Sequence, residues 1–119
     1  MRYFASNRKN VPVDQKDFEL LSGKALDRLE ALLDEVGLEV DRMSDGILEL
    51  ELSDGEKIVI NRHTVAREIW VAARSGGFHF RHDEGSGCWR DTRADVPLGA
   101  KLHELTKHDG LGAFDVDTD

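Results

Sequence analysis

The sequence predicts an α+β fold, a two-layer sandwich in which an N-terminal and a C-terminal helix pack on one face of an antiparallel sheet. Three observations predict this fold. Apolar residues before residue 37 recur every three to four positions, which is the period of an amphipathic helix. Between about residues 38 and 91 the period changes to two, and short turn sequences separate the runs. A second helical stripe follows Pro97, and helices at both ends of a meander pack most economically on one face of it.

The positions of the two helices follow from apolar spacing and from residues that start or end helices. The first helix is predicted over residues 13–36, because Gly37 is a natural C-terminal stop. Its buried stripe is expected to contain Phe18, Leu21, Ala25, Leu29, Leu32 and Val36. The second helix is expected to begin at Pro97, whose fixed φ suits a first turn, and to end near Lys107. Its buried stripe is expected to contain Leu98, Leu102 and Leu105.

The strands follow from alternation and from turn sequences. Leu48, Leu50 and Leu52 alternate with Glu49 and Glu51, which predicts a half-buried strand. Short turns between such runs predict an antiparallel meander. A loop is expected over 62–66 and a turn at 75–77, and the strands are predicted over residues 38–43, 47–52, 57–61, 67–73, 78–81 and 88–91.

Size and composition exclude several classes of protein. The chain of 119 residues and 13.4 kDa has room for one core, expected over 13–108 between a flexible N-terminal tail (1–12) and a flexible acidic tail (109–119). The net charge of −8 and the pI of about 5.0 argue against nucleic acid as a partner. Cys88 is the only cysteine, which excludes a disulfide framework. No apolar run approaches the roughly 18–20 residues of a membrane span, so no membrane contact is expected.

Acidic residues are concentrated in the first half of the chain. Residues 14–56 contain 14 Asp and Glu against 4 Lys and Arg. Three acids of the first helix follow one another at i, i+3 and i+7, which places them on one face, and a fourth flanks them. Two more alternate in the next strand, which is expected to run beside the helix. We define these six residues as the acidic ridge: Asp27, Glu30, Asp34, Glu35, Glu39 and Asp41.

The acidic ridge is costly in local stability. Carboxylates in the last turn of a helix oppose its macrodipole, and like charges four residues apart destabilise it by about 0.2–0.5 kcal/mol. Neutralising Glu30 or Asp34 is therefore expected to preserve or raise the melting temperature at low salt. Carboxylate oxygens without His or Cys suit hard cations and iron. The residues alone leave three interpretations open: a weak metal site, a docking surface for a basic partner, and a solvated surface without a specific ligand.

Several short motifs occur in the order and at the spacing of a known family. They are Ile58-Val59-Ile60-Asn61-Arg62, Ile69-Trp70-Val71-Ala72, Gly76-Gly77-Phe78-His79-Phe80 and Trp89. With the acidic first helix, they make the chain resemble the bacterial branch of the frataxin family over residues 14–107. The ordered set is specific, although no single motif decides the resemblance. Eukaryotic members carry long import sequences and this chain shows none, so a bacterial, cytoplasmic protein is expected.

The resemblance implies an accessory protein of iron–sulfur cluster assembly that delivers or senses iron and modulates the cysteine desulfurase. It implies that iron, as Fe²⁺ and/or Fe³⁺, binds weakly and exchangeably to the acidic ridge, above all at Glu30, Asp34, Glu35, Glu39 and Asp41. The implied partners are the cysteine desulfurase and the iron–sulfur scaffold protein. The residues expected to contact these partners are Glu30, Asp34 and Glu35 on the ridge, and Asn61, Arg62, Trp70 and His79 on an open sheet face.

Two other functions remain as alternatives. The first is a metal-independent interaction module, in which the ridge docks a basic partner and an exposed Trp70 anchors it. The second is an enzyme, either a carboxylate-pair hydrolase or a ferroxidase. A hydrolase needs a concave site, which a convex ridge does not provide, so no catalytic residue is assigned and slow iron oxidation is not expected to be the function. On the residues alone, a core position is the favoured interpretation of Trp70, and its exposure is what the resemblance implies. We expect a monomer, with metal-dependent oligomers as the alternative.

Overall fold

Six antiparallel strands form one sheet in which each strand pairs with its neighbours in the chain. In the computed structural model, which describes residues 13–107, two helices cover one face of this sheet, so the predicted two-layer α+β fold is confirmed. Neither helix of this range is long and apolar enough to cross a membrane. The two predicted tails and His108 lie outside the described residues. The elements are α1 (Gln15–Glu35), β1 (Glu39–Ser44), β2 (Ile47–Glu51), β3 (Lys57–His63), β4 (Glu68–Ala73), β5 (Gly76–Asp83), β6 (Cys88–Asp91) and α2 (Leu98–Thr106).

Helix α1 begins and ends close to the predicted positions. The carboxylate of Asp14 accepts the backbone N–H of Asp17 at 2.9 Å and caps the N-terminus. At the other end Gly37 adopts a φ of +87°, which favours glycine, and its N–H donates to the carbonyl of Asp34 at 3.0 Å. Both ends therefore satisfy backbone groups that a helix terminus leaves without intrahelical partners.

The buried face of α1 differs from the predicted stripe. Six residues are buried: Phe18, Ser22, Ala25, Leu26, Leu29 and Leu33. Leu21 and Leu32 are only partly buried, and Val36 lies beyond the helix with 45% of its surface exposed. The prediction followed a neighbouring row of apolar residues because Ser22 interrupts the row that is buried. This serine is tolerated in the core because its hydroxyl donates to the carbonyl of Glu19 at 3.4 Å.

Alternation along the strands separates an inner face, beneath the helices, from an open face. The inner face and both helices contribute to one apolar cluster, and each fully buried aliphatic or aromatic side chain stabilises the fold by about 1.5–3 kcal/mol. Because α1 and α2 share this cluster, they lie on the same side of the sheet. The sheet and α2 contribute Leu48, Leu50, Leu52, Ile58, Ile60, Ile69, Val71, Phe80, Trp89, Leu98 and Leu102.

Two strands are longer than predicted. β3 continues to His63, which pairs with Glu68 where a loop was expected. β5 begins at Gly76, which pairs with Ala73 where a turn was expected. Glycine has no side chain to show alternation, so only backbone pairing reveals that it belongs to a strand. Pro97 is the N-cap of α2 and not its first residue, because its ψ of 151° is extended.

The two edges of the sheet differ. The outer side of β6 is covered, because the N–H of Asp91 donates to the carbonyl of Val96 at 2.9 Å and Pro97 bridges to Arg90. In the part of the chain that the structure describes, no strand pairs with the outer side of β1. Three of the six residues of β1 are charged, and this is the strand that runs beside the acidic part of α1.

Arg62 links α1 to the turn between β1 and β2. It lies on the inner face with 15% of its side chain exposed. One guanidinium nitrogen donates to the carbonyl of Glu19 and the hydroxyl of Ser22, both at 3.4 Å, and the other donates to the carboxylate of Asp45 at 3.0 Å. The turn packs closely on this side chain, since a Cβ at Gly46 would lie 3.2 Å from Nε of Arg62.

Arg42 makes a second link between the β1–β2 hairpin and α1. Its guanidinium bonds to the carboxylates of Asp27 at 3.1 Å and Glu30 at 2.9 Å, and to the carbonyl of Asp45 at 2.7 Å. Burial lowers the pKa of Arg42, but the hydrogen bonds to Glu30 and Asp27 outweigh it, so this pKa is raised. The helix and the hairpin are therefore held together by two arginines on the inner side of the sheet.

Replacing Arg62 by Ala is expected to lower the free energy of unfolding by about 1–2 kcal/mol and the melting temperature by roughly 5–10 °C. The substitution removes the link from the hydroxyl of Ser22 to the carboxylate of Asp45. Thermal and urea denaturation followed by circular dichroism measures the effect. Arg74→Ala is the matched control, because Arg74 is exposed and its ion pair with Asp54 is long, at 3.8 Å. Equal losses in the two variants would show that Arg62 has no special structural role.

Glu30 and Asp34 are expected to respond differently to neutralisation, because Glu30 pairs with Arg42 and Asp34 does not. Glu30→Gln is expected to lower the melting temperature at low salt by about 2–4 °C, the effect of losing about 0.5 kcal/mol from a partly exposed ion pair. Asp34→Asn is expected to preserve or raise it, because the last turn of α1 contains no basic residue and this carboxylate opposes the helix dipole. Calorimetry at low and high salt tests the difference, and shifts of the same sign and size would contradict it.

Candidate functional site

The helix part of the acidic ridge is exposed along α1. Asp27, Asp34 and Glu35 are exposed, and Glu30 is half-buried. Asp27 and Glu30 share the guanidinium of Arg42, so part of the predicted negative charge is balanced within the protein. Asp34 and Glu35 form no ion pair with another residue between positions 13 and 107. Within the ridge, the uncompensated charge of the helix therefore lies at its C-terminal end.

The strand part of the ridge lies on the open face of β1, away from α1. Glu39 and Asp41 project from the open face, directly across from Glu51 and Glu49 of β2. Arg42, the next residue along the strand, projects from the inner face toward α1. The six ridge residues therefore form two rows that flank one edge strand, where the sequence analysis expected one continuous set. Two carboxylates of β2 that the ridge did not include extend the strand row.

A shallow depression of about 220 Å³ separates the carboxylates of the strand row. Its basic residue is Lys57, whose Nζ lies 3.8 Å from a carboxylate oxygen of Glu49. Like charges directly opposite each other destabilise a pair of strands. Glu39 and Asp41 have no basic partner in the described part of the chain. The depression is lined by Glu39, Val40, Asp41, Glu49, Glu51 and Lys57.

The metal donors that this surface offers are carboxylate oxygens. Within residues 13–107, no three His, Cys, Asp or Glu side chains converge closely enough to hold a metal ion. The carboxylate oxygens are hard donors, which suit Mg²⁺, Ca²⁺, Mn²⁺ and iron. They occur in pairs along α1 and across β1 and β2, so a cation held here keeps water in most of its coordination positions and exchanges readily.

Trp70 lies on the open face, across from Asn61 of β3 and His79 of β5. Its indole is stacked between two imidazoles, with ring centroids 3.8 Å from His63 and 4.3 Å from His79. The indole Nε1–H donates to the carboxylate of Glu68 at 2.7 Å. The alternative of a core tryptophan therefore does not apply, because the ring is half-buried on the surface of the sheet. A role of this surface in binding stays a prediction.

Arg62 does not belong to the surface around Trp70. Arg62 was predicted to lie there together with Asn61, and that prediction is wrong. Adjacent residues of a strand project from opposite faces, so Asn61 and Arg62 cannot both face the open side. The guanidinium of Arg62 lies beneath the sheet and bonds to α1.

Sequence reasoning missed several residues of these surfaces. Arg42 was not considered as a counter-ion of the ridge, and nothing in a helix pattern reveals a partner that arrives from another element. Glu49 and Glu51 had a usable signal, because the short β1–β2 turn fixes a register that opposes them to ridge acids. Glu68 had a signal as well, since it lies two residues before Trp70 and therefore on the same face of the strand.

Comparison with known proteins agrees with the motifs. A family model of the Frataxin-like domain matches residues 11–110. The iron-sulfur cluster assembly protein CyaY of Dechloromonas aromatica is 46% identical over 95 residues, which cover 78% of this chain and 89% of that protein. The protein of the same name from Cupriavidus pinatubonensis is 42% identical over 97 residues, which cover 76% and 85%. These names describe assembly proteins and no reaction, in agreement with the prediction that the chain is not an enzyme.

A solved structure has the same fold. The frataxin from Psychromonas ingrahamii, described as a model of stability modulation within the CyaY family, superposes with a TM-score of 0.69. The match covers 90% of this chain and 100% of that one, at 23% sequence identity, so it concerns the fold alone. The assignment therefore depends on the family model and the sequence relatives, and by both the chain belongs to the frataxin family, in its bacterial CyaY branch.

Proposed function

We propose that the protein is an iron-binding accessory protein of iron–sulfur cluster assembly, which delivers or senses iron and modulates the cysteine desulfurase through the acidic ridge. Its relatives are named for iron–sulfur cluster assembly. One observation carries the proposal: four exposed carboxylates of the acidic ridge have no basic partner among the described residues. A surface of this kind attracts cations and basic protein surfaces, and such a function explains why its cost in stability is tolerated. The four residues are Asp34, Glu35, Glu39 and Asp41.

Iron is the cargo or the signal in this proposal. Fe²⁺ or Fe³⁺ binds weakly to the ridge carboxylates and keeps much of its water. Each bound ion offsets negative charge on the surface that a basic partner approaches. Iron and the desulfurase therefore compete for the same carboxylates, and iron occupancy changes the rate and strength of docking.

Arg42 determines which residues of the ridge are available to bind a cation. A cation that binds to Asp27 or Glu30 has to compete with a guanidinium that already holds both carboxylates. Asp34 and Asp41 meet no such competition from the residues that the structure describes. We therefore assign the main contribution to the C-terminal end of α1 and the strand row, and the smallest to Asp27 and Glu30.

The open face supplies a second contact in this proposal. Asn61, Trp70 and His79 lie side by side on three adjacent strands. Aromatic residues with a polar atom are frequent anchors of protein interfaces. We assign this surface to the iron–sulfur scaffold protein and the ridge to the desulfurase. In this proposal the protein acts in the bacterial cytoplasm as a monomer, with metal-dependent oligomers as the alternative.

A metal-independent interaction module is the second candidate function. It is favoured by the finding that no three metal-ligating side chains of residues 13–107 converge. In this case the ridge docks a basic partner, Trp70 anchors it, and iron changes neither the affinity for the partner nor the rate of cluster assembly.

An anaerobic Fe²⁺ titration followed by backbone amide NMR is expected to shift the amides between Glu30 and Asp41 at lower concentrations than Mg²⁺ at matched ionic strength. Replacing Asp34 by Asn and Glu35 by Gln together is expected to raise the required iron concentration by about tenfold, because two donor carboxylates are lost. Glu19→Gln, on the same helix but outside the ridge, is the control and should leave the titration unchanged. Equal responses to iron and magnesium would contradict iron binding and favour the interaction module.

The same double variant is expected to slow association with the cysteine desulfurase by about tenfold at low ionic strength, because exposed charges steer the encounter of the two proteins. The difference should shrink as salt is added, since screening shortens the range of the attraction. Stopped-flow or surface plasmon resonance measurements without metal provide the rates, again with Glu19→Gln as the control. If the variant associates as fast as the unaltered protein at low salt, the ridge is not the docking surface.

A further inference from the structure

Glu68 is a buried carboxylate on the face of the sheet that is otherwise open. It is the first residue of β4, and 5% of its surface is exposed. On the open face it lies directly across from His63 of β3 and two residues from Trp70 of its own strand. A carboxylate so deeply buried is costly unless its oxygens are paired. Its contacts therefore show what the burial achieves.

Both carboxylate oxygens of Glu68 have donors. Oε1 accepts the Nε1–H of Trp70 at 2.7 Å, and Oε2 accepts the Nε–H of Arg81 at 2.9 Å. The Nδ1 atom of His79 lies 3.6 Å from Oε1. The carboxylate thus joins β4 to β5 and holds the indole by a charge-assisted hydrogen bond, which is stronger than a bond between neutral groups.

The indole of Trp70 is stacked face to face between two imidazoles. Its plane lies 13° from the ring of His63 and 7° from the ring of His79. The three rings come from three adjacent strands, so the stack runs across the sheet and presents ring edges outward. His63 is fixed as well, because its Nδ1 accepts the N–H of Ala66 at 3.2 Å, so its neutral ring carries the hydrogen on Nε2.

This arrangement determines what the open face can bind. Both faces of the Trp70 ring are covered and its N–H is already donated, so a partner meets the edges of the stacked rings. Ring edges carry the positive part of the aromatic quadrupole. Arg81 and His79 add donors beside them, with 31% and 44% of their side chains exposed. The complementary groups of a partner are therefore carbonyl and carboxylate oxygens.

We propose that Glu68 is a positioning residue, which fixes the indole of Trp70 in its stack between the rings of His63 and His79. The outward ring edges of this stack then form a preformed surface for a protein segment that presents carbonyl and carboxylate oxygens. The inference deepens the proposed function and rests on it, because the partner is the iron–sulfur scaffold protein. A preformed surface loses less side-chain entropy on binding. Glu68 acts through Trp70, since its own oxygens are buried and engaged.

The first measurement compares Glu68→Ala and Glu68→Gln with Glu104→Gln, an exposed carboxylate on α2 on the other side of the sheet. It follows the two indole N–H signals by NMR, and Trp70→Phe assigns them. Glu68→Ala is expected to shift the Trp70 signal and to speed its exchange with water by about tenfold, because the acceptor is lost. Glu68→Gln keeps an uncharged acceptor and is expected to give a smaller shift. Glu104→Gln should shift neither signal, and an unmoved signal of buried Trp89 reports an intact core in every variant.

The second measurement is the affinity of each variant for the scaffold protein. Glu68→Ala is expected to weaken binding by about tenfold, the size of effect typical of an interface anchor that is released. Glu68→Gln is expected to recover part of this loss, and Glu104→Gln should bind like the unaltered protein. Partial rescue together with the intermediate indole shift distinguishes positioning from a general loss of stability.

Two outcomes would overturn the inference. An unchanged Trp70 signal in Glu68→Ala would show that the carboxylate does not hold the indole. A shifted signal with unchanged affinity would show that the orientation of the ring does not matter for docking. If Glu68→Ala does not fold, which the Trp89 signal reveals, Glu68→Gln decides by the same two readouts. If the unaltered protein does not bind the scaffold at all, the proposed function fails, and the indole signals still decide whether Glu68 positions Trp70.

Discussion

Burial of one face of the sheet is the constraint on which the rest of the structure depends. Side chains alternate along each strand, so the sheet can offer only one face to the apolar rows of α1 and α2. Polar groups that a partner can reach therefore lie on the open face, on the outer sides of the helices, in the loops, or along the edge strand β1. Both candidate surfaces follow from this division. The stack around Trp70 occupies the open face, and the two acidic rows flank β1.

Two arginines on the inner face balance part of the negative charge at the acidic end of the molecule. Arg42 and Arg62 extend from the sheet to α1 and hold the helix to the hairpin. Because they lie between the layers, they neutralise the acids nearest to the junction. Asp34, Glu35, Glu39 and Asp41 have no counter-ion among residues 13–107. The protein thus combines a firmly attached helix with a surface of unbalanced charge, where pairing of every acid would have removed its attraction for cations and basic proteins.

The architecture was predictable from the sequence because periodicity reports directly on which side of an element is buried. The ends of α1 were predictable as well, since Gly37 has an intrinsic preference for its position. Contacts between elements were not, because they depend on register and on long side chains that cross from one layer to another. Ser22 misled the choice of buried row for this reason, since its polarity is compensated by a backbone carbonyl and by Arg62. Within the candidate site, the exposed placement of Trp70 could be anticipated only from the family resemblance, because its own sequence pattern favoured the core. Its enclosure by two imidazoles required three strands in register.

The position of the strand row on β1 has a consequence for how the protein behaves at high concentration. An edge strand exposes backbone N–H and C=O groups that can pair with a strand of another molecule, and charged side chains along the edge oppose such pairing. β6 is shielded by the Val96–Pro97 segment, but β1 relies on its charges. The two ridge acids of β1, Glu39 and Asp41, therefore also oppose pairing of two molecules edge to edge. A cation that neutralises them removes this repulsion, so colloidal stability and occupancy of the ridge are coupled through one strand.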